Sequence, residues 1–129
     1  MVKTIDVGKQ KVYILKDEAD KPDGEQTKFI IRQITKAEKY ELMQFSLTLK
    51  KDNLDVGALF KKSIETFKKA VVRIENLEKS DGTKYTADKV DDDVVETLPD
   101  EVIQEVSGHI LQTSVLNEEQ RKNLKRQSG

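Results

Sequence analysis

An apolar stripe between residues 56 and 77 constrains the fold more than any other feature of the sequence. The stripe is close to a 3.5-residue period, which is typical of a helix packed lengthwise on another helix. The segment "VVRIENL" also has a strand rhythm, which the helical rhythm through Ile74 outscores, although Val72, Ile74 and the β-branched run leave the last turn open to either structure. We therefore predict a long helix that ends between Ile74 and Leu77. The members of the stripe recur at steps of four, four, three, four, three and three residues: Val56, Phe60, Ile64, Phe67, Val71, Ile74 and Leu77.

The residues at the start of the chain predict a small antiparallel β-meander. Ile5 and Val7, then Val12 and Ile14, alternate with polar residues on either side of Gly8, as the strands of a hairpin do. The segment "TKFIIRQI" predicts a third strand, and the loop before it contains a Pro-Asp-Gly turn. A three-stranded sheet needs a cover, which helices supply.

A first helix is predicted from about residue 36 to about residue 49. The segment "TKAE" at residues 35–38 matches a capping box. In this motif the Thr35 hydroxyl accepts from the Glu38 amide, and the Glu38 carboxylate accepts from the Thr35 amide. The helix is expected to bury one apolar stripe. Its members are Tyr40, Met43 and Leu47, and Leu42, Phe45 and Leu49 widen it.

The chain beyond residue 79 is acidic and predicts short helices. Asp81 and Gly82 predict a turn, because glycine tolerates the positive φ that such a turn usually demands. Thr86 is expected to cap a short helix, and Pro99 fits the first turn of the next, where its missing amide costs nothing. A terminal helix is predicted to open at Asn117. The inner stripe of the helix after Pro99 is Val102, Val106, Ile110 and Thr113, flanked by Ile103 and Leu111.

These patterns together predict an α+β, mostly helical protein, with an N-terminal meander of about three strands followed by four to five helices. The chain of 129 residues fits a single domain. Its predicted parts are the meander over 1–34, two long helices over 35–78 and an acidic helical region over 79–129. Because 36% of the residues are charged and 5% are aromatic, a modest aliphatic core must support a well-solvated surface.

Candidate chemistry is sparse. The chain has no cysteine and a single histidine, His109, which argues against thiolate zinc sites, cysteine nucleophiles and familiar catalytic triads. The consecutive residues Asp91, Asp92 and Asp93 point in different directions on a helix and cannot converge on one metal ion. We therefore predict no enzymatic activity, no cofactor and no metal. The charged N-terminus contains neither a signal peptide nor a membrane span, so we expect a soluble, intracellular protein.

The formal net charge of −1 disfavours non-specific binding to nucleic acid or to an anionic membrane. A basic ridge on the predicted second helix is the best nucleic-acid candidate, although Glu65 interrupts it and no aromatic residues flank it for stacking. The ridge could instead meet an acidic surface, which leaves self-association through opposite patches open. Its members are Lys61, Lys62, Lys68, Lys69 and Arg73.

Three segments carry a family resemblance by their order and spacing over most of residues 27–124. "FIIRQITKAEKYEL" predicts a strand that passes into a capped helix, and "FKKAVVRIENLEKSDGTKYT" predicts a helix that leads to an Asp-Gly turn. "TLPDEVIQEVSGHILQTSVLNEEQRKNL" contains a Leu-Pro start, an aliphatic helix and an acidic restart. In these features the chain resembles the tail assembly chaperones of long-tailed, siphovirus-like bacteriophages.

The resemblance implies a non-enzymatic chaperone that binds the long, largely helical tape measure protein and recruits tail tube subunits. Such a protein acts in the host cytoplasm and is absent from the mature virion. A holding chaperone needs aliphatic grooves with polar rims. Two alternatives are another small tail or connector protein and a nucleic-acid-binding regulator that uses the basic ridge. Amphipathicity alone identifies the candidate partner-binding residues, and it is equally consistent with their forming a closed core. These residues are Phe60, Ile64, Phe67, Val71, Val102, Val106 and Ile110.

Overall fold

The chain folds as an α+β protein, in agreement with the predicted class. The computed structural model describes residues 1–4, 8–51 and 56–116. Within these ranges a four-stranded antiparallel sheet has the order β1-β2-β3-β4. Its strands are β1 (Lys11–Ile14), β2 (Lys28–Ile31), β3 (Val71–Glu78) and β4 (Lys84–Ala87). The helices are α1 (Lys36–Lys51), α2 (Val56–Ala70), α3 (Asp92–Thr97) and α4 (Asp100–Leu111), and a π-helical turn (Gln112–Leu116) follows α4.

The sheet has four strands rather than the predicted three, and two of them were not predicted: β3 replaces the end of the predicted second helix, and β4 lies in a region predicted to be helical. Helix α2 ends at Ala70, and not between Ile74 and Leu77. The residues that follow form β3, in which Ile74 lies opposite Phe29 of β2. The prediction of two long helices over 35–78 is therefore wrong for residues 71–78, where the β-branched side chains favour a strand that pairs on both sides.

Two irregularities in the pairing of β3 explain why its sequence resembles a helix. The register shifts where Ile30 and Ile31 pair with β3, and again between Ile74 and Leu77, where Asn76 has a φ of 63°. An extra residue at such a shift makes the inward-facing side chains recur at steps of three instead of two. A strand with this spacing mimics a helical stripe. The buried residues of β3 are Val71, Ile74 and Leu77.

The predicted turn at Asp81 and Gly82 is confirmed and joins β3 to β4. Gly82 has a φ of 89°, and the backbone amide of Thr83 donates to Asp81 Oδ1 at 2.9 Å. The predicted cap at Thr86 is wrong, because this residue lies in β4. Asp91 caps α3 instead, and its Oδ1 accepts from the amide of residue 94 at 3.0 Å.

A capping box opens α1 as predicted, and an arginine reinforces it. The Glu38 amide donates to Thr35 Oγ1 at 3.2 Å, and the Thr35 amide donates to Glu38 Oε1 at 2.9 Å. Arg32, directly after β2, donates to both carboxylate oxygens of Glu38 at 2.9 and 2.6 Å. Its Nε donates to the carbonyl oxygen of Lys69 in α2 at 2.7 Å. We call the pair of Arg32 and Glu38 the clamp, because it joins β2, α1 and α2 through a bidentate, charge-assisted contact.

The face of α1 that is buried differs from the predicted face. Leu42, one turn after Glu38 on the same side of the helix, is only 6% exposed. Tyr40 and Leu47 lie on the opposite side and are 67% and 53% exposed, and Met43 is half-buried. The prediction that α1 buries the stripe of Tyr40 and Leu47 is therefore wrong, because the clamp turns the helix so that this stripe faces solvent.

The core lies where the sheet meets helices α2 and α4. Phe29 of β2 and Phe67 of α2 are both buried, with ring centroids 6.1 Å apart in an edge-to-face arrangement. Helix α4 begins directly after Pro99, which is the N-cap residue rather than a member of the first turn as predicted, and contributes Val106 and Ile110 to the same core. The predicted first strand, with its residues 5 and 7, and the terminal helix predicted from residue 117 lie outside the described residues. Over the described ranges, no helix is long and apolar enough to cross a membrane.

The clamp predicts a pH-dependent contribution to stability. The hydrogen bonds from Arg32 lower the pKa of Glu38 from 4.5 to about 2. Because the folded state holds Glu38 as a carboxylate, its contribution is present above pH 4.5 and is lost as the pH falls toward 2. We expect Glu38→Gln to lower the free energy of unfolding at pH 7 by on the order of 1–2 kcal/mol, after a discount for solvent contact.

Urea unfolding of the wild type and of Glu38→Gln at several pH values measures this contribution. The difference between the two proteins should narrow as the pH falls from 4.5 toward 2. Glu96→Gln is the matched control, because Glu96 is an exposed glutamate of α3 far from Arg32 in the chain. A difference that stays constant across this pH range would contradict the assignment.

Candidate functional site

Most of the predicted partner-binding residues lie in the closed core. Four of them, Phe67, Val71, Val106 and Ile110, are buried, and Ile64 and Val102 are half-buried against that core. Phe60 is 38% exposed. It lies at one end of the apolar stripe of α2, and the core does not cover this end. Of the seven residues, Phe60 is therefore the one whose side chain a partner can reach without displacing the core.

The basic ridge is largely neutralised by carboxylates. Lys62 pairs with Glu41 at 3.1 Å, Lys69 pairs with Glu65 at 2.9 Å, and Lys68 pairs with Asp92. Arg73 lies in β3 rather than on the helix, and it pairs with Glu75. Since each of these cations already has an acidic neighbour, the ridge offers less positive charge to a phosphate backbone than its sequence indicates.

An open groove lies between α1 and α4, and β1 forms part of its wall. We call it the α1–α4 groove, and its volume is about 750 Å³. Helix α1 contributes Met43, Ser46 and Leu47, of which Leu47 lies farthest around the helix from Leu42. The opposite wall is the exposed side of α4, with Gly108 and Leu111. Because Gly108 has no side chain and nothing lies within 4 Å of a Cβ built on it, the backbone of α4 is accessible at this point.

A hydrogen-bonded array of three side chains forms the wall where β1 meets α4. Tyr13 of β1 donates from its hydroxyl to Glu105 Oε2 at 2.8 Å, and the backbone amide of Lys16 donates to the same oxygen at 3.0 Å. The Tyr13 ring stacks on the His109 ring with centroids 4.3 Å apart. The hydrogen bond between Tyr13 and Glu105 joins residues that are 92 positions apart in the chain, so it ties β1 to α4.

Burial and neighbouring charges shift the pKa values of two side chains in the array, Tyr13 and His109. Burial, the hydrogen bond to Glu105 and the negative charge of Glu105 raise the pKa of Tyr13 to about 12. Burial and the nearby charge of Lys11 lower the pKa of His109. A phenol with this pKa is a poor acid or base at pH 7. Within the described residues, no group of three or more acidic or histidine side chains is placed to hold a metal ion.

Reasoning from the sequence missed this groove, although its residues carried a weak signal. The sequence predicts that the stripe of Tyr40, Met43 and Leu47 is buried in the core, whereas Met43 and Leu47 line the groove. The partners of that stripe, Tyr13 and Leu111, lie in distant segments. No local pattern indicates that these segments meet, because the meeting depends on the packing of β1 against α4.

Two matched alanine substitutions test the division of the α2 stripe into core and surface. Phe67→Ala should lower the free energy of unfolding by about 3–5 kcal/mol, because it opens a cavity in the core. Phe60→Ala should cost less than about 1 kcal/mol, because its side chain already contacts solvent. Chemical denaturation at pH 7 measures both. Similar losses for the two variants would show that the exposed end of α2 is packed in solution.

Comparisons with known proteins leave the family of this chain open. No protein-family model, curated protein or solved structure matches the chain. The groove, the exposed side of α1 and the sequence resemblance are therefore the observations from which a function can be argued.

Proposed function

We propose that this chain is a tail assembly chaperone of a long-tailed bacteriophage. In this role it binds helical segments of the tape measure protein and helps to recruit tail tube subunits, acts in the host cytoplasm and leaves before the virion matures. The single observation that carries the proposal is the α1–α4 groove, beside which Leu47 remains 53% exposed. The order of motifs over residues 27–124 supports it from the sequence.

The groove has the properties that a holding chaperone requires. Helix-in-groove recognition uses aliphatic side chains at helical spacing, which pack against an apolar surface. Met43, Leu47 and Leu111 supply such a surface, and Ser46 and Gln112 give it a polar rim. Because binding also has to offset the ordering of both partners, an open groove with few apolar side chains supports modest affinity. Modest affinity suits a client that must be released.

Two alternative functions have less support. A ring-forming connector subunit needs a broad permanent interface or long sheet edges, whereas the edge strands β1 and β4 have 4 residues each. A nucleic-acid-binding regulator needs accessible cations, whereas most of the basic ridge is paired with carboxylates. No contact among the described residues specifically favours either alternative.

Co-expression with the tape measure protein of the same genome tests the proposal. We expect a soluble complex with several copies of this chain, whereas the tape measure protein expressed alone should precipitate. Leu47→Asp should reduce the recovered complex by roughly tenfold or more, because it places a charge on the apolar contact surface. Affinity purification followed by light scattering measures the yield and the mass of the complex.

Val56→Asp is the matched control, because Val56 is 58% exposed but does not line the groove. This variant should retain the complex, and Phe60→Asp in the same assay tests whether the contact extends along α2. Circular dichroism and thermal melts establish that each variant is folded. If the tape measure protein precipitates whether or not this chain is present, the chaperone proposal fails.

A further inference from the structure

Helix α1 is attached to the rest of the protein by fewer buried side chains than α2 or α4. Of its side chains at residues 36–48, only that of Leu42 is buried. Because burial of apolar side chains is the main force that holds a short helix in a domain, α1 is the least firmly held of these three helices. The buried residues of the other two are Thr66, Phe67 and Ala70 in α2, and Ile103, Val106, Ser107 and Ile110 in α4.

Two cations bind the side of α1 that faces the domain. We call this side the α1 seam, and its members are Glu38, Glu41, Leu42 and Phe45. Arg32 binds Glu38 in the clamp, and Lys62 of α2 binds Glu41 at 3.1 Å. The Lys62 ammonium group also lies 5.8 Å from the centre of the Phe45 ring, within range of a cation–π contact. Charge therefore supplies much of the attachment that apolar burial supplies in α2 and α4, and salt weakens contacts between exposed charges.

Both cations keep a partner when α1 is displaced. Glu65, which belongs to α2 like Lys62, lies 3.6 Å from the Lys62 ammonium group. Arg32 donates to the carbonyl oxygens of Lys69 at 2.7 Å and of Gln33 at 3.0 Å, and neither acceptor belongs to α1. Displacement of α1 therefore leaves no cation without a contact, which lowers the cost of breaking the α1 seam.

We propose that α1 opens as a unit while the sheet, α2 and α4 stay folded, and that this opening takes the α1–α4 groove apart. Met43 and Leu47 belong to one wall of the groove, whereas Gly108 and Leu111 belong to the other. Displacement of α1 separates the two walls, so a ligand that contacts both of them is released. The inference goes beyond the proposed function, because it holds for any ligand of the groove.

Opening of α1 costs less than unfolding of the whole domain. It uncovers Leu42 and breaks the contacts of the α1 seam, whereas global unfolding also uncovers core residues such as Phe29 and Phe67. An isolated helix of 16 residues is at best marginally stable in water, so α1 loses its helical hydrogen bonds when it leaves the domain. Hydrogen exchange of backbone amides under native conditions detects such a local opening.

Amide hydrogen exchange measured by NMR on the full chain tests the inference. The amides in the middle of α1 should share one exchange behaviour and be at least about 10-fold less protected than the core amides of α2 and α4. Low concentrations of urea should accelerate exchange in α2 and α4 much more than in α1, because global unfolding exposes more surface.

Salt should act selectively on α1. Two partly exposed ion pairs correspond to roughly 2- to 30-fold in an equilibrium constant, and salt screens them only in part. Between about 0.05 and 0.5 M sodium chloride we therefore expect exchange in α1 to accelerate by about 5-fold, while exchange in α2 and α4 changes by less than about 2-fold.

Matched variants locate this behaviour in the α1 seam. Lys62→Met removes the charge and keeps most of the side-chain stem, so it should accelerate exchange in α1 several-fold and reduce its response to salt. Lys61→Met is the matched control, because Lys61 is an exposed neighbour of Lys62 that lies outside the contacts of the α1 seam. Lys62→Glu should open α1 further, and its combination with Glu41→Lys should restore slow exchange, because the exchanged charges form the pair again.

Several results would overturn the inference. These are exchange in α1 and in the cores of α2 and α4 through one common unfolding, a gradient from the ends of α1 in place of a shared rate, an α1 without protection in any solution condition, or a rate in α1 that does not respond to salt. If Lys62→Met does not fold, the urea and salt dependence of the wild type still decides the question.

The exchange assay and the co-expression assay can fail independently. A soluble complex with the tape measure protein, together with an α1 that unfolds only with the whole domain, overturns the opening of α1 and leaves the chaperone proposal intact. Local, salt-dependent exchange in α1 supports the inference. If the tape measure protein nevertheless precipitates, the chaperone proposal fails while α1 remains an independently opening helix.

Discussion

The bidentate contact between Arg32 and Glu38 is the interaction on which the arrangement of the helices depends. Arg32 follows β2, Glu38 lies in the first turn of α1, and the guanidinium also binds the carbonyl oxygen of Lys69 in α2. A planar guanidinium that donates to both carboxylate oxygens constrains direction as well as distance. The clamp therefore determines how α1 is rotated about its axis. A hydrophobic contact is non-directional and would define this rotation less well.

The rotation of α1 decides which apolar side chains a partner can reach. With Glu38 and Leu42 turned toward the domain, Tyr40 and Leu47 lie on the outer side of the helix and Met43 lines the groove. Exposed apolar side chains that adjoin a groove are characteristic of interaction surfaces. The same rotation places Glu38 and Glu41 where they form ion pairs with Arg32 and Lys62.

The sequence predicts the structure correctly where contacts between neighbouring residues define it. The prediction is wrong where contacts with a distant segment define the structure. The capping box at Thr35 and Glu38 and the turn at Gly82 need only neighbouring residues, and both were predicted. The steps of three in β3 arise from irregular pairing with β2 and β4, which no local pattern reports. The sequence does not predict which side of α1 faces solvent, because a helical wheel ranks the sides of a helix by hydrophobicity alone. In the structure, the charged hydrogen bonds between Glu38 and Arg32 also orient the helix. The Tyr13–Glu105 contact spans 92 positions and has no local signal at all.

The proposed chaperone function requires α1 both to hold a client and to release it, and the way α1 packs is compatible with both. Among the side chains of α1 that the structure describes, only that of Leu42 is buried, so the helix relies on the clamp and its ion pairs for attachment. In the proposed function, a client helix adds apolar contacts on the other side of α1. Because a ligand stabilises the conformation that binds it, client binding and the docking of α1 are linked thermodynamically. Loss of the clamp should therefore weaken client binding although Arg32 does not line the groove, since part of the binding free energy would be spent on positioning α1.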